Sequence, residues 1–562
     1  MDPSANAASA PVAPQERIED LDVIRGFAVF GIFLMNIEFF NRSTSGIMEG
    51  MPLGLTGLDW VASWLIAYFV QGKFWTIFSL LIGMGFAVML TRTEEAGRDF
   101  IAPYLRRILG LAVFGAAHYI FLWSGDILFS YAMAAVGLLV LLYGKWKPIL
   151  VALAVLVGVG FIPDMDPVFR LAGGLGFIGL VSLYMRAERR FQLFGRSVPL
   201  FSVAMLALGT IGVIAALVLW FLPNGPKEPR IPLTAASIAM LVLSALSARF
   251  HDPEPLRALR LGAGIYTFVC LMMTIGGAAQ YLQPREPAAP PAAATPAASN
   301  GSATVGEPDK KTGKTAAQEA AQKKIERAKR LARRQEEIRN EVQVMSKGSY
   351  LDTVELHARK FPEKVANDGG FSAVLVAMFL LGSWFVRSGV MTNTRENLPL
   401  FRKLACFGLP IGIGIGLLGS LIAVSHVPGD EHDGFQLARG LAMLGNLPAC
   451  LGYVGLVVLM LHSNSFWARI RVLAPVGRMA LTNYLAQSVI CALFFFGYGL
   501  GHWGMARAWQ VVFVIVVFAF QIAFSHWWLA RFRYGPMEWI WRAFTYRHAP
   551  TMRLQRELQP SA

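Results

Sequence analysis

Long apolar runs recur along most of the chain, separated by short polar loops. The runs Val198 to Leu222 and Val511 to Ala530 approach or exceed the roughly 20 apolar residues that cross a bilayer as a helix. Segments of this kind are predicted at about 22–40, 73–91, 104–124, 126–144, 148–163, 168–186, 199–222, 232–249, 260–282, 371–388, 404–425, 437–462, 478–500 and 508–531. The pattern predicts an all-α fold, a polytopic transmembrane helical bundle of about 14 spans. Leu58 to Val70 differs. Its Trp60, Trp64 and Tyr68, followed by Gln71, suit the headgroup region, so it is expected to lie at the interface without crossing. Gly408, Gly412, Gly416 and Ser420 put a small residue at every fourth position, the stripe of a close helix contact.

The same patterning divides the chain. Residues 1–16 form an Ala/Pro-rich tail without the charged start or cleavage pattern of a signal peptide. Residues 17–145 make a first transmembrane region, 146–282 additional spans, 283–349 an insert, 350–546 a second transmembrane domain and 547–562 a tail. Within the insert, Pro284 to Ala298 is a Pro/Ala tract expected to be disordered. The strong helix formers that follow carry only a thin apolar seam (Ile325, Ala328, Leu331, Ile338, Val342) and read as a solvated single helix, with a partner-binding helix as the alternative. Leu351 to Val365 reads as an amphipathic helix leading back to the membrane.

Composition agrees with this class: 55% of residues are hydrophobic and 15% charged, and the mean hydropathy is +0.48. A soluble chain carries about 25% charged residues. The net charge of +15 therefore points to basic loops rather than to a nucleic-acid partner. Arg92, Arg98, Arg106 and Arg107, then Lys145 and Lys147, and later Arg469, Arg471, Arg531 and Arg533 all fall on one side if Leu58 to Val70 does not cross. That side is expected to be cytoplasmic, with both termini on it. If the segment crossed, the N-terminus would move outside. The four cysteines are scattered without zinc-type spacing, so neither a disulfide nor a metal site is argued.

Candidate chemistry starts with His118. It lies eleven residues past Arg107, roughly 16 Å along a helix axis, near the middle of a hydrocarbon core of about 30 Å. An ionisable group there faces a cavity or a partner, or else is a neutral imidazole bonded between helices. Asp126, just after Gly125, is a natural helix N-cap and lies on the same half as His118, roughly 12 Å away on a continued helix. Asp22 and Arg25 are spaced to pair on one helix face, and Gly26 permits close approach. Asn36 needs a partner for its amide deep in the same helix, Gly83 and Gly85 suit packing, and Lys73 is placed at the membrane edge. Asn446 and Pro448 mark a kinked span that could line a cavity. Arg478 enters at a membrane edge, and Thr482, Asn483, Tyr484 and Gln487 concentrate polar groups on a face expected to line a cavity. Arg531, Arg533 and Arg542 stand beside Trp539 and Trp541, suited to anchoring or to phosphate.

Taken in order, RIEDLDVIRGFAVFGIFLMNI, GKFWTIFSLLIGMGF, RRILGLAVFGAAHYIFLWSGDILFSYA, GRMALTNYLAQS and RYGPMEW resemble the YeiB family of bacterial inner-membrane proteins, over roughly 17–145 and 350–546. That family is similar, distantly, to transmembrane acyltransferases such as heparan-glucosaminide acetyltransferase. The resemblance implies transfer of an acyl group from a cytoplasmic acyl-CoA, bound only as a donor, to a small-molecule, lipid or glycan acceptor across the membrane. The lysosomal enzyme has its catalytic histidine just beyond the span that carries the Asp and Arg-Gly motif. The corresponding loop here, NRSTSGIMEGMPLGLTG, has no histidine, so an acyl-histidine there is not available. His118 would substitute as general base with Asp126 orienting it. Arg25, Arg106, Arg107 and Arg478 would hold phosphates, and Asn36, Asn446, Asn483, Tyr484 and Gln487 would line the acyl or acceptor path. The alternative is a proton-linked transporter or exporter of a small amphiphile that uses His118 as relay. Self-association stays open.

Overall fold

The computed structural model describes residues 17–283 and 316–554, apart from 48, 98, 164, 166, 187–188, 194, 223–229 and 252–255. The predicted N-terminal tail and the Pro/Ala tract lie outside the described residues, as does the end of the chain from 555. Helices dominate: α1 Glu19–Asn36, α2 Gly57–Leu65, α3 Lys73–Glu95, α4 Ile101–Phe121, α5 Leu128–Tyr143, α6 Trp146–Gly160, α7 Val168–Met185, α8 Leu200–Phe221, α9 Arg230–Phe250 and α10 Arg257–Tyr281. After the insert come α11 Ala316–Lys347, α12 Tyr350–Arg387, α13 Leu398–Ile422, α14 Phe435–Leu461, α15 Ala480–Phe495, α16 Arg507–Leu529 and α17 Pro536–Tyr546. Among the described residues nine helices are long and apolar enough to cross a membrane, and shorter apolar helices such as α5, α6 and α15 stand among them. The chain is an all-α, polytopic membrane bundle. One small departure is a hairpin, β1 Arg190–Leu193 against β2 Arg196–Pro199, turned at Gly195, whose φ of +73° suits glycine.

α12 forms the axis of the bundle. It packs against α3, α5, α7 and α10, and Leu375, Ala377, Met378 and Phe379 are fully enclosed. The contact with α3 is made by reciprocal glycines: a Cβ on Gly83 would run into the Phe379 carbonyl, and one on Gly382 into the Leu80 carbonyl. Close backbone approach of this kind substitutes for hydrophobic drive inside lipid. The predicted small-residue stripe serves the same purpose, since Gly408 and Gly412 meet Pro448, Gly445 and Ala449 of α14.

Two expectations are corrected here. The amphipathic segment at 351–365 and the span at 371–388 are one helix, α12, of 38 residues. It begins with a capping box: the Ser349 hydroxyl accepts from Asp352 N (3.2 Å), and Asp352 Oδ2 accepts from Ser349 N (2.8 Å). Ser349→Ala is expected to cost about 1 kcal/mol, read as a lower melting temperature in detergent. The charged insert helix is also not simply solvated. The carboxylate of its Glu341, which is 2% exposed, accepts from Thr44 N (2.8 Å) and from Lys360 Nζ (3.0 Å). Arg334 and Arg327 pair with Glu49 and Glu431 at 3.2 and 2.9 Å. Its thin apolar seam could not foretell this docking, because charges make most of it.

The segment 58–70 meets the next helix without a loop. α2 continues through a wide π turn, Ile66–Val70, and stops at Gln71 and Gly72, whose φ is +83°. α3 begins directly afterwards, so Gly57–Glu95 is a single apolar stretch broken at Gln71 and Gly72.

Candidate functional site

α4 ends in a tight turn because Leu122 N and Trp123 N both donate to the His118 carbonyl, at 3.0 and 2.8 Å. The chain reverses over a few residues and α5 starts at Leu128. Asp126 sits on that reversal with its two oxygens used differently. Oδ2 accepts from Phe129 N (2.8 Å), capping α5. Oδ1 lies 2.8 Å from His118 Nδ1. Capping and pairing with His118 were alternatives in the sequence; the folded chain does both. The sharp turn shortens the separation from that of a continued helix.

The pair is enclosed, with His118 2% and Asp126 4% exposed. The imidazole meets the edge of Trp123 at 5.9 Å between centroids and the Tyr484 ring at 5.1 Å. A carboxylate accepts only, so the imidazole Nδ1–H donates to it, and in the neutral ring Nε2 is then the nitrogen that carries the lone pair. That Nε2 is buried without a hydrogen-bond partner.

Tyr484 also forms the inner wall of a cavity of about 230 Å³ between α1, α3, α4, α5, α15 and α17. Its middle is apolar, lined by Phe78, Leu81, Ile108 and Leu128 among others. Its other end holds Arg25, Arg107, Arg478 and Arg542. Arg25 pairs with Asp22 at 3.0 Å, as its spacing suggested. Arg107 lies over Trp541 at 4.5 Å, Arg542 over Tyr534 at 4.8 Å, and Arg478 Nε is buried without a partner. The guanidinium of Arg17, outside the spans, is lowered from its ordinary value by burial and next by Arg478, a sign of crowded positive charge.

Local backbone explains why these arginines meet. Gly26 lies against the Leu473 carbonyl and Gly477 against that of Asp22, bringing α1 onto the turn that carries Arg478. Glu538 of α17 then caps α15 from a distance in sequence: Oε1 accepts from Leu481 N (2.7 Å) and Thr482 N (3.0 Å), and Oε2 from the Thr482 hydroxyl (2.5 Å). Burial raises the Glu538 carboxyl above its ordinary value, opposed by its bonds to Thr482 and Leu481.

The remaining candidates lie elsewhere. Arg106 does not line the cavity, because the next residue on a helix turns away by about 100°. Asn36 is buried at the last turn of α1, one turn past the lining residue Ile32. Asn483 Nδ2 donates to Ser525 Oγ (3.1 Å) and Gln487 Nε2 to Gln521 Oε1 (2.9 Å), so both join α15 to α16 instead of facing the cavity. Asn446 packs against Gly72 at the break in Gly57–Glu95. Lys73, expected at the membrane edge, is 0% exposed. A second hollow of about 810 Å³ between α6 and α7, with Lys145, Lys147 and Arg186 at one end, contains none of the candidates. Two further histidine–carboxylate contacts, His462 with Asp20 at 2.8 Å and His426 with Asp433 at 2.5 Å, also stand outside the lining.

Residues 385–548 match the family model described as "Protein of unknown function (DUF418)". The chain is 26% identical to "Uncharacterized protein YxaH" of Bacillus subtilis (strain 168), over 95% of this chain and 96% of that protein. It is 38% identical to "Uncharacterized 39.9 kDa protein in amylase 3'region" of Bacillus acidopullulyticus, over 24% of this chain and 37% of that one. It is 33% identical to "Uncharacterized protein YeiB" of Escherichia coli (strain K12), over 31% of this chain and 45% of that one. No solved structure matches the chain. The DUF418 match over the last spans and these relatives together support an assignment to the YeiB-like proteins.

Proposed function

We propose that the cavity binds an acyl donor of the acyl-CoA type, and that the His118–Asp126 pair activates the acceptor. The observation that carries this reading is one continuous hollow with four arginines at one end and Tyr484, in contact with His118, at the other. Clustered guanidinium groups suit phosphates, and an apolar middle suits an acyl chain. At about 230 Å³ the cavity is smaller than the roughly 300–1,000 Å³ of sites that engulf a drug-sized ligand. It therefore takes a slender chain and leaves the nucleotide at its mouth. The excess of basic residues in the short loops supports a cytoplasmic mouth at a bacterial inner membrane, with both termini on the same side.

In the transfer, His118 Nε2 takes the proton from the acceptor's hydroxyl or amine as that atom attacks the thioester carbonyl. The carbon–sulfur bond breaks, and the thiolate leaves to be protonated as the free thiol. Asp126 holds the Nδ1–H and stabilises the imidazolium that forms. Tyr484 lies between the hollow and His118, so its side chain controls access to the base. Membrane vesicles of the native host given acyl-labelled acyl-CoA on the arginine side should transfer label to a membrane-associated acceptor. Arg478→Gln should weaken the donor's apparent affinity more than the maximal rate. Label that never leaves CoA would count against the reading. The broken segment Gly57–Glu95 favours a second reading, transport, because interrupted helices build substrate sites in many transporters. Proton-linked movement of an amphiphile without covalent change would support it.

A further inference from the structure

The break between α2 and α3 lies deep in the bundle. Tyr453, eighteen residues into the 27-residue α14, donates its hydroxyl to the Phe69 carbonyl (2.9 Å) just before the break. Gly72, just after, lies against the Asn446 amide, eleven residues into α14. No side chain caps the N-terminus of α3, so its first backbone N–H groups and the positive end of its dipole are left at this level. Lys73 adds to the same sign. Its side-chain nitrogen is enclosed, 4.0 Å from where a Cβ on Gly416 would sit, and has no hydrogen-bond partner. No acidic side chain pairs with it among the described residues. Asn446 Oδ1 is likewise buried without a partner. The hydroxyl of Thr76 is already spent on the Gly72 and Lys73 carbonyls, at 3.1 and 2.5 Å.

A buried lysine without a partner beside an uncapped helix start suits an anion, since its charge is tolerated in such surroundings only when an opposite charge sits with it. An acceptor left open next to it calls for a donor on the same ligand. We propose that the break is a second ligand site, separate from the arginine-lined cavity, that binds a carboxylate bearing a nearby hydroxyl or amide N–H. Lys73 and the start of α3 hold the carboxylate, and Asn446 Oδ1 accepts from the O–H or N–H. Gly72, Gly412, Gly416 and Gly445 keep the surrounding walls close, and the wide turn at Ile66–Val70 aims the break at α14. The two sites share no lining residue: Lys73, Tyr68 and Asn446 are absent from the cavity.

The test is thermal stability of the full-length protein in detergent, titrated with glycolate, acetate and sulfate at equal ionic strength. Glycolate is expected to give a saturable rise in melting temperature, acetate a smaller one and sulfate none. Lys73→Met should abolish both rises, and Asn446→Leu should remove the advantage of glycolate while keeping the acetate response. If 2-hydroxyoctanoate binds more tightly than glycolate, the ligand is the headgroup of an amphiphile; equal binding points to a free hydroxy acid. A glycolate response no larger than that to sulfate, or one that persists in Lys73→Met and in a second variant, Lys73→Gln, would overturn the proposal. Stabilisation by acyl-CoA in the same variants serves as the folding control. It depends on Arg478 and not on Lys73, so failure at one site is distinguishable from failure at the other.

Discussion

Replacing His118 with alanine is expected to lower acyl transfer by about 10²–10⁴-fold, the contribution of a positioned general base. The binding of acyl-CoA should survive, because the arginines stand at the far end of the cavity. Asp126→Asn should give a smaller loss. It keeps an oxygen for the cap on Phe129 N but releases the tautomer that leaves Nε2 free. Both are read as label transferred per minute in vesicles, alongside a melting curve with the donor. A His118→Ala protein that transfers at the normal rate would remove the imidazole from the mechanism. If donor binding were lost as well, the histidine would be holding the cavity together instead.

Glu538→Ala is expected to be the most destabilising single truncation at the basic end. It strands the N–H groups of Leu481 and Thr482 and the Thr482 hydroxyl at once, at about 1–3 kcal/mol for each buried group left unpaired. It also frees α17, and with it Arg542 and Trp541, from α15. Glu538→Gln retains one acceptor oxygen and should recover part of the loss. The melting temperature in detergent measures both, and an unchanged Glu538→Ala curve would show that water replaces the carboxylate at no cost.

Much of the bundle was legible in the chain because apolar run length and loop charge are local properties. α8 and α16 fall almost where the runs predict them, and the stripe Gly408–Gly412–Gly416 announced its helix contact. Arg25, Arg107 and Arg478 stand at the ends of spans, where loop charge marks them, and they meet around one hollow. What stayed hidden was direction around each helix. Nothing in the order Thr482, Asn483, Tyr484, Gln487 says that Tyr484 faces α4 while Asn483 and Gln487 bond to α16. Glu538 was equally silent, because a cap supplied from more than fifty residues away has no local signature. Lys73 misled because a lysine at the start of a run is normally read as a membrane edge. The break at Gly72 is the missed signal: a Gln-Gly-Lys between two apolar stretches interrupts a helix rather than ending a span.

The account rests on the arginine-lined cavity being a donor site, and direct binding tests that best. Purified protein is titrated with acetyl-CoA and longer acyl-CoAs while its melting temperature is followed. At a hundred times the dissociation constant, a ligand specific for the folded state adds about 2.7 kcal/mol of apparent stability. The account predicts a saturable rise that grows with acyl length and is largely lost in Arg478→Gln and Arg25→Gln. No rise with any acyl-CoA, or a rise that both variants retain, would contradict it.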